Sequence, residues 1–222
     1  MKRPVGFLLS ALLLPSAAWL GGWATISVED LPDHAVAGQP LEMAFSVRSH
    51  GSSGVTELEP TIEARSGKRH VTARATASGQ PGRYAFRLAL PEAGDWSVNI
   101  HSGMGPFQLS LLPIRAVAPG SPPPAAFTEA ERGKHLFVAK GCVGCHVHQA
   151  VNDRAMVNIG PELTHRRFDR AYLEAWLKDP AATRAPSPGT EQMPNMHLKP
   201  REIASLVAFI NAERAATSKP AR

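Results

Sequence analysis

The stretch "KGCVGCHVHQ", Lys140 to Gln149, holds both cysteines of this 222-residue chain. His146 follows Cys145 directly, and His148 lies two residues further on. Two thiols and an imidazole so close together suit three chemistries: a zinc site, a redox disulfide or a haem. A structural zinc ion takes four closed ligands. Cys142, Cys145, His146 and His148 would make four, but His146 adjoins Cys145 and is poorly placed to reach the same ion. No second C-x-x-C follows. A thioredoxin-like pair belongs in a βαβ setting, whereas the surroundings here read as helix and loop. A bridge between cysteines three apart would close a tiny loop and stabilise little. C-x-x-C-H is the signature of covalent c-type haem attachment. The thiols add to the two vinyl groups on one porphyrin edge, and the next histidine is carried under the iron as an axial ligand.

Outward from this stretch the pattern is helical. "FTEAERGKHLFVAKG" opens with Thr128 and has Glu131 three residues on, a capping box, and Gly141 closes it. "DRAYLEAWLKDP" puts Tyr172, Leu173, Trp176 and Leu177 on one face and stops at Pro180. "KPREIASLVAFINAERAA" carries Ile203, Leu206, Val207 and Ile210 at helical spacing, with Phe209 beside them.

These pieces together resemble the class I c-type cytochrome over about residues 127–215. The matching motifs are Gly133 and Phe137 in "RGKHLF", "GCVGCH", "IGPEL" at Ile159 to Leu163, "YLEAWLKDP", Met193-Pro194, and Leu206 and Phe209 in the last helix. The resemblance implies one covalent haem c held by Cys142 and Cys145, with His146 on the iron. It implies that the first and last helices cross where Gly133 lets an aromatic approach. It also implies that the carbonyl of Pro161 accepts the other ring N–H of His146 and orients it. A methionine sulfur is expected opposite. "TEQMPNMHLKP" offers Met193 and Met196 as well as His197. The family pattern of Met followed by Pro selects Met193, with Met196 as the alternative and otherwise a packing residue in the pocket. His135, His148 and His165 read as surface or supporting histidines, and Met156 as a packing residue.

Upstream, residues 24–115 change to short alternating runs broken by turns. "ATISV", "LEMAFSVRS", "TIEARS", "RYAFRLAL", "DWSVNIHS" and "FQLSLLPI" are strand candidates, with "HGSSG", "RSGKR", "ASGQPG" and "PEAG" as turns. Tyr84, Phe86, Leu88 and Leu90 share one face, as do Trp96, Val98 and Ile100. About seven such strands fit an all-β immunoglobulin-like sandwich. It weakly resembles domains of the YtkA/FixH type. Residues 116–126, "AVAPGSPPPAA", read as a proline-rich linker, and residues 127–222 as the all-α domain. His34, Met43, His50, His70, His101 and Met104 suit copper by type, but only His101 and Met104 are close in sequence.

The N-terminus has Lys2 and Arg3, then an apolar run from Val5 to Leu14 and small residues at 16–18. Residues 1–23 therefore read as a signal peptide or a retained membrane anchor. Either places the folded part in the periplasm or on the outer face of the cytoplasmic membrane. The net charge of +5 falls largely after Phe127, in Lys134, Lys140, Arg154, Arg166, Arg167, Arg170 and Lys178, and suits an acidic redox partner or anionic lipid. No basic tract points to nucleic acid. The chain reads as an exported one-electron carrier, not an enzyme in itself, that works with redox proteins of a membrane complex. The alternative is a metal- or haem-linked assembly factor whose active module is the sandwich.

Overall fold

The protein is described here by a computed structural model, which covers residues 22–157, 159–185 and 192–212. The expected signal or anchor at residues 1–23 lies almost wholly outside them. Among the described residues no helix is long and apolar enough to cross a membrane.

The N-terminal half is β-rich and forms two sheets. The strands are β1 (Ala24–Val28), β2 (Ala35–Val36), β3 (Pro40–Ser49), β4 (Ser53–Gly54), β5 (Thr61–Ser66), β6 (Arg69–Arg74), β7 (Thr76–Ala77), β8 (Arg83–Ala89), β9 (Gly94–His101), β10 (Gln108–Ser110) and β11 (Ile114–Val117). One sheet has the order β1-β3-β8-β7, with β4 on β3. The other has β2-β11-β9-β5-β6, with β10 on β9. The alternation seen in sequence is the inward face of each sheet. Met43, Phe45, Val47, Tyr84, Phe86 and Leu88 meet Ile62, Ala64, Trp96, Val98 and Ile100 in one core. Its two large polar aromatics are satisfied, as burial requires. Trp96 Nε1–H donates to Glu92 O at 3.0 Å, and Tyr84 O–H donates to Val55 O at 2.8 Å.

Two strand expectations differ. "FQLSLLPI" is not one strand: Pro113 has no N–H for a ladder, and the chain divides into β10 and β11. The turn read in "RSGKR" is tighter than expected, and Arg69–Arg74 continues as β6. That strand was obscured because it is an edge strand and four of its six residues, Arg69, His70, Thr72 and Arg74, are charged or polar.

The C-terminal half holds α1 (Glu129–Ala139), α2 (Arg170–Lys178), α3 (Pro180–Thr183) and α4 (Pro200–Ile210). The Thr128–Glu131 capping box is present, with Thr128 N–H donating to Glu131 Oε2 at 2.9 Å and Glu131 N–H to Thr128 Oγ1 at 3.3 Å. Pro180 ends α2 but also starts α3, where its missing N–H would be unsatisfied anyway. Helices α1 and α4 cross at Gly133: a Cβ there would lie 1.9 Å from Ser205 O and 2.7 Å from Phe209 Cβ. Phe137 and Phe209 then meet with ring centroids 5.5 Å apart, and Leu136, Leu206 and Ile210 complete the core around them.

The two halves pack against each other. All five residues of β1 are buried, although it is an edge strand. Ala24, Ile26 and Val28 belong to the sandwich core, which also takes in Val138 and Ala139 at the end of α1. The exposed edge that would otherwise invite aggregation is thereby covered. Lys140 was expected on a basic surface, and that expectation is wrong. Its side chain is 5% exposed, with Nζ 2.8 Å from Glu202 Oε1 and 2.7 Å from Glu29 O. A charged amine can be buried here because a carboxylate and a carbonyl both face it.

Gly133→Ala should lower unfolding stability by ~3 kcal/mol, because the obstructing atom is backbone and overpacking of this kind is not easily relieved; chemical denaturation measures it. Lys140→Met should lower it by about 3–5 kcal/mol by stranding Glu202, while the double variant Lys140→Met, Glu202→Leu should recover most of the loss.

Candidate haem-binding site

Cys142 opens a single 3-10 turn, Cys142–Gly144, that Cys145 caps and that follows α1 through Gly141 in the left-handed region at φ 79°. Cys145 N–H and His146 N–H both donate to Cys142 O, at 3.1 and 2.9 Å. This tight turn brings Cys142, Cys145 and His146 to the wall of one cleft of about 440 Å³. Helices α2 and α4 supply Leu173, Trp176, Leu177, Leu206 and Ile210, and the segment before α4 supplies Met193, Pro194 and Met196.

His146 is oriented from behind. With its proton on Nδ1, it donates to Pro161 O at 2.9 Å, which leaves Nε2 as the lone-pair nitrogen. Burial pushes the imidazole below its ordinary pKa, and the bond to Pro161 opposes that shift. The ring is thus held neutral, as a ligand must be. Gly160 makes the approach possible: a Cβ there would lie 2.6 Å from both Cε1 and Nδ1 of His146. In sequence Gly160 stands only within the "IGPEL" motif, and the ring it accommodates is fourteen positions away.

The loop behind the ring is tied at several points. Gly160 N–H donates to Cys145 O at 3.1 Å and Leu163 N–H to Val147 O at 2.8 Å. Asn152 Nδ2 donates to His146 O at 2.9 Å. Cys142 is half-buried beside Cys145, and desolvation of its thiol first, then that neighbour, pushes it up to about 12. It stays protonated at neutral pH and is a poor nucleophile until it is consumed in a covalent bond.

Both candidate sulfurs line the cleft, and His197 is exposed. Among the described residues, only Met193 of the two has a directed partner: Trp176 Nε1–H donates to its Sδ at 3.1 Å. The tryptophan was read in sequence only as part of an apolar helix face. Met196 is 8% exposed and packs in the pocket wall. The set fits a covalent haem: two thiols and a neutral imidazole on one loop, thioether sulfur on another, and an apolar cleft between. The glycine at 160 leaves the space that the oriented imidazole needs.

Other expectations move. His148 is not at the surface but 4% exposed, tilted against Phe209 at 4.3 Å between ring centroids and edge-on to Phe137 at 5.9 Å. It belongs to the α1–α4 crossing. Met156 was expected to pack and is 48% exposed. His135 stacks on Phe127 at 4.6 Å. In the sandwich, Met43 is buried in the core, and His50 lies against Trp23 at 5.4 Å. Among the described residues, no three His, Cys, Asp or Glu side chains gather as a metal site.

Comparison with known proteins gives three results. Residues 130–212 match the family model for cytochrome c. No curated protein matches. Similar solved structures include surface layer protein SbsC, domains 1–6 (16% identity, TM-score 0.33, over 49% of this chain and 14% of that one). SbsC domains 4 and 5 are also similar (16%, 0.32, over 44% and 54%), as is a superoxide reductase (neelaredoxin) from Ignicoccus hospitalis (18%, 0.29, over 42% and 80%). The chain therefore spans only 14% and 54% of the two SbsC structures, and at these TM-scores none carries an argument about this protein.

Trp176→Phe keeps an aromatic ring at this position and removes the donor to Met193. The ferric–sulfur charge-transfer band of the haem-loaded protein should shift or weaken, and exogenous imidazole should bind more tightly by about tenfold, the worth of one such hydrogen bond. Absorption titration measures both.

Proposed function

Taking residues 130–212 as a cytochrome c domain, we propose that this protein is an exported monohaem c-type cytochrome that carries single electrons. It serves within, or docks to, a membrane redox complex, in the periplasm or on the outer face of the cytoplasmic membrane. The observation that carries this reading is that Cys142, Cys145, His146 and Met193 line one apolar cleft, with His146 turned by Pro161.

When bound, the haem supplies an iron that exchanges one electron between its ferric and ferrous states. The chain's residues do the rest. Cys142 and Cys145 are placed to anchor one edge covalently. His146 presents Nε2 because its other nitrogen is committed to Pro161. Met193 offers a soft sulfur, which favours the reduced state. Leu173, Leu177, Leu206 and Ile210 exclude water, so little solvent has to reorganise when the charge changes. If His146 and Met193 both held the iron, no position would be left open for a substrate. That favours a carrier, on its own or as a subunit of an oxidoreductase, over a haem enzyme.

Export is supported by Lys2 and Arg3 ahead of the apolar run at 5–14. An acidic redox partner is supported by Arg154, Arg166, Arg167 and Lys178, which remain exposed, whereas Lys140 drops out of that face.

Met193→Ala should abolish the weak ferric–sulfur band and open the ferrous protein to carbon monoxide, while Met196→Ala should leave the band in place. The reverse pattern would move the ligand to Met196. Ready carbon monoxide binding by the unmodified protein at native pH would overturn the electron-carrier reading.

A further inference from the structure

We propose that the β-rich domain is a clamp on the haem site: it grips the segment carrying Met193 and so holds the sulfur in place. The proposal rests on Met193 being the axial ligand and gives the upstream domain a role in that site.

The segment from Gln192 to Lys199 contains no helix or strand. From its own domain it receives the Trp176 N–H on Met193 Sδ, and its Asn195 Nδ2 donates to Lys178 O at 3.3 Å. From the other side the sandwich meets it at two points. The turn after β3 brings Gly51 against Pro194, the residue after Met193. A Cβ at Gly51 would lie 2.5 Å from Pro194 Cγ and 2.9 Å from its Cβ. At the far end of the segment, Asp30 pairs with Lys199. Lys199 holds the Asp30 carboxyl below the usual carboxylate range.

The opposite ligand loop is touched by the same domain. Thr25 on β1 lines the cleft, and a Cβ at Gly141, just ahead of Cys142, would lie 2.5 Å from Ile26 O. One domain therefore abuts the flanks of both loops that present iron ligands. A segment without its own ladder opens easily unless neighbours pack on it. Gly51 and Asp30 are positioning residues that act through Pro194 and Lys199 on Met193.

The test uses the full-length, haem-loaded protein and reads the ferric–sulfur band and the affinity of the ferric protein for exogenous imidazole. Gly51→Ala adds a Cβ into Pro194. Gly38→Ala is the control: Gly38 has φ +74°, close to the +71° of Gly51, but nothing within 4 Å of its would-be Cβ. The control therefore carries the backbone strain without the contact. Gly51→Ala should weaken the band and tighten imidazole binding by about tenfold, equivalent to ~1.4 kcal/mol, the lower part of the range for overpacking. Gly38→Ala should leave both unchanged. The double variant Gly51→Ala, Pro194→Gly should behave like Pro194→Gly alone, since removing the ring together with its Cβ clears the space.

If Gly51→Ala and Gly38→Ala are indistinguishable, the clamp is wrong. If Gly51→Ala does not fold, Asp30→Asn decides. It lies on the surface and should tighten imidazole binding by about twofold to fivefold at low salt, with no effect at high salt. No change at either salt overturns the proposal. Met193→Ala separates the two levels. A band that survives it removes the ligand assignment and the clamp with it. A band that it abolishes, together with silent Gly51→Ala, removes the clamp alone.

Discussion

The amine of Lys140 sits at the junction of everything described above. It lies two residues before Cys142, so it marks the point where α1 gives way to the haem-attachment turn. Glu202 in the first turn of α4 faces it, and the carbonyl of Glu29 at the end of β1 closes the third side. One buried charge thus joins the first helix, the last helix and the sandwich. Burying an ammonium is costly unless it is fully met. The arrangement is therefore demanding: if any of the three elements shifts, the amine loses a partner, and the turn that presents both thiols shifts with it.

The site depends on that junction through small residues. Gly133 lets α4 cross α1, which places Leu206 and Ile210 along the cleft. Gly141 brings the turn against β1, Gly160 admits the His146 ring, and Gly51 admits Pro194. In each case the neighbour occupies the space of the missing Cβ. Backbone proximity, more than side-chain chemistry, sets how closely the loops carrying His146 and Met193 approach the cleft. Two directed hydrogen bonds then finish the geometry, Pro161 on His146 and Trp176 on Met193.

In sequence the upstream domain shows no motif comparable to C-x-x-C-H. Its edge strand is nevertheless buried on both faces, and Thr25 reaches the cleft wall. A linker rich in proline suggested two modules held apart. The exposed run from Ser121 to Ala126 does span them, but the modules meet through β1, the turn at Gly51 and the end of α1.

The sequence by itself determined whatever chemistry is local. C-x-x-C-H specifies the haem because thiols and imidazole act within five residues. The Thr128–Glu131 cap spans one helical turn, and the alternation in β3, β8 and β9 reports the pleat directly. Gly133 and Phe209 were legible through a recurring motif, although the reason, a backbone oxygen at 1.9 Å from the absent Cβ, was not. The tertiary structure alone decided where Lys140 goes, which sulfur Trp176 holds, why His148 is buried and what Gly51 touches. Those outcomes depend on pairs such as Lys140 and Glu29, 111 positions apart. Periodicity and spacing record a residue's neighbours along the chain, and carry no trace of a partner that only folding brings within reach.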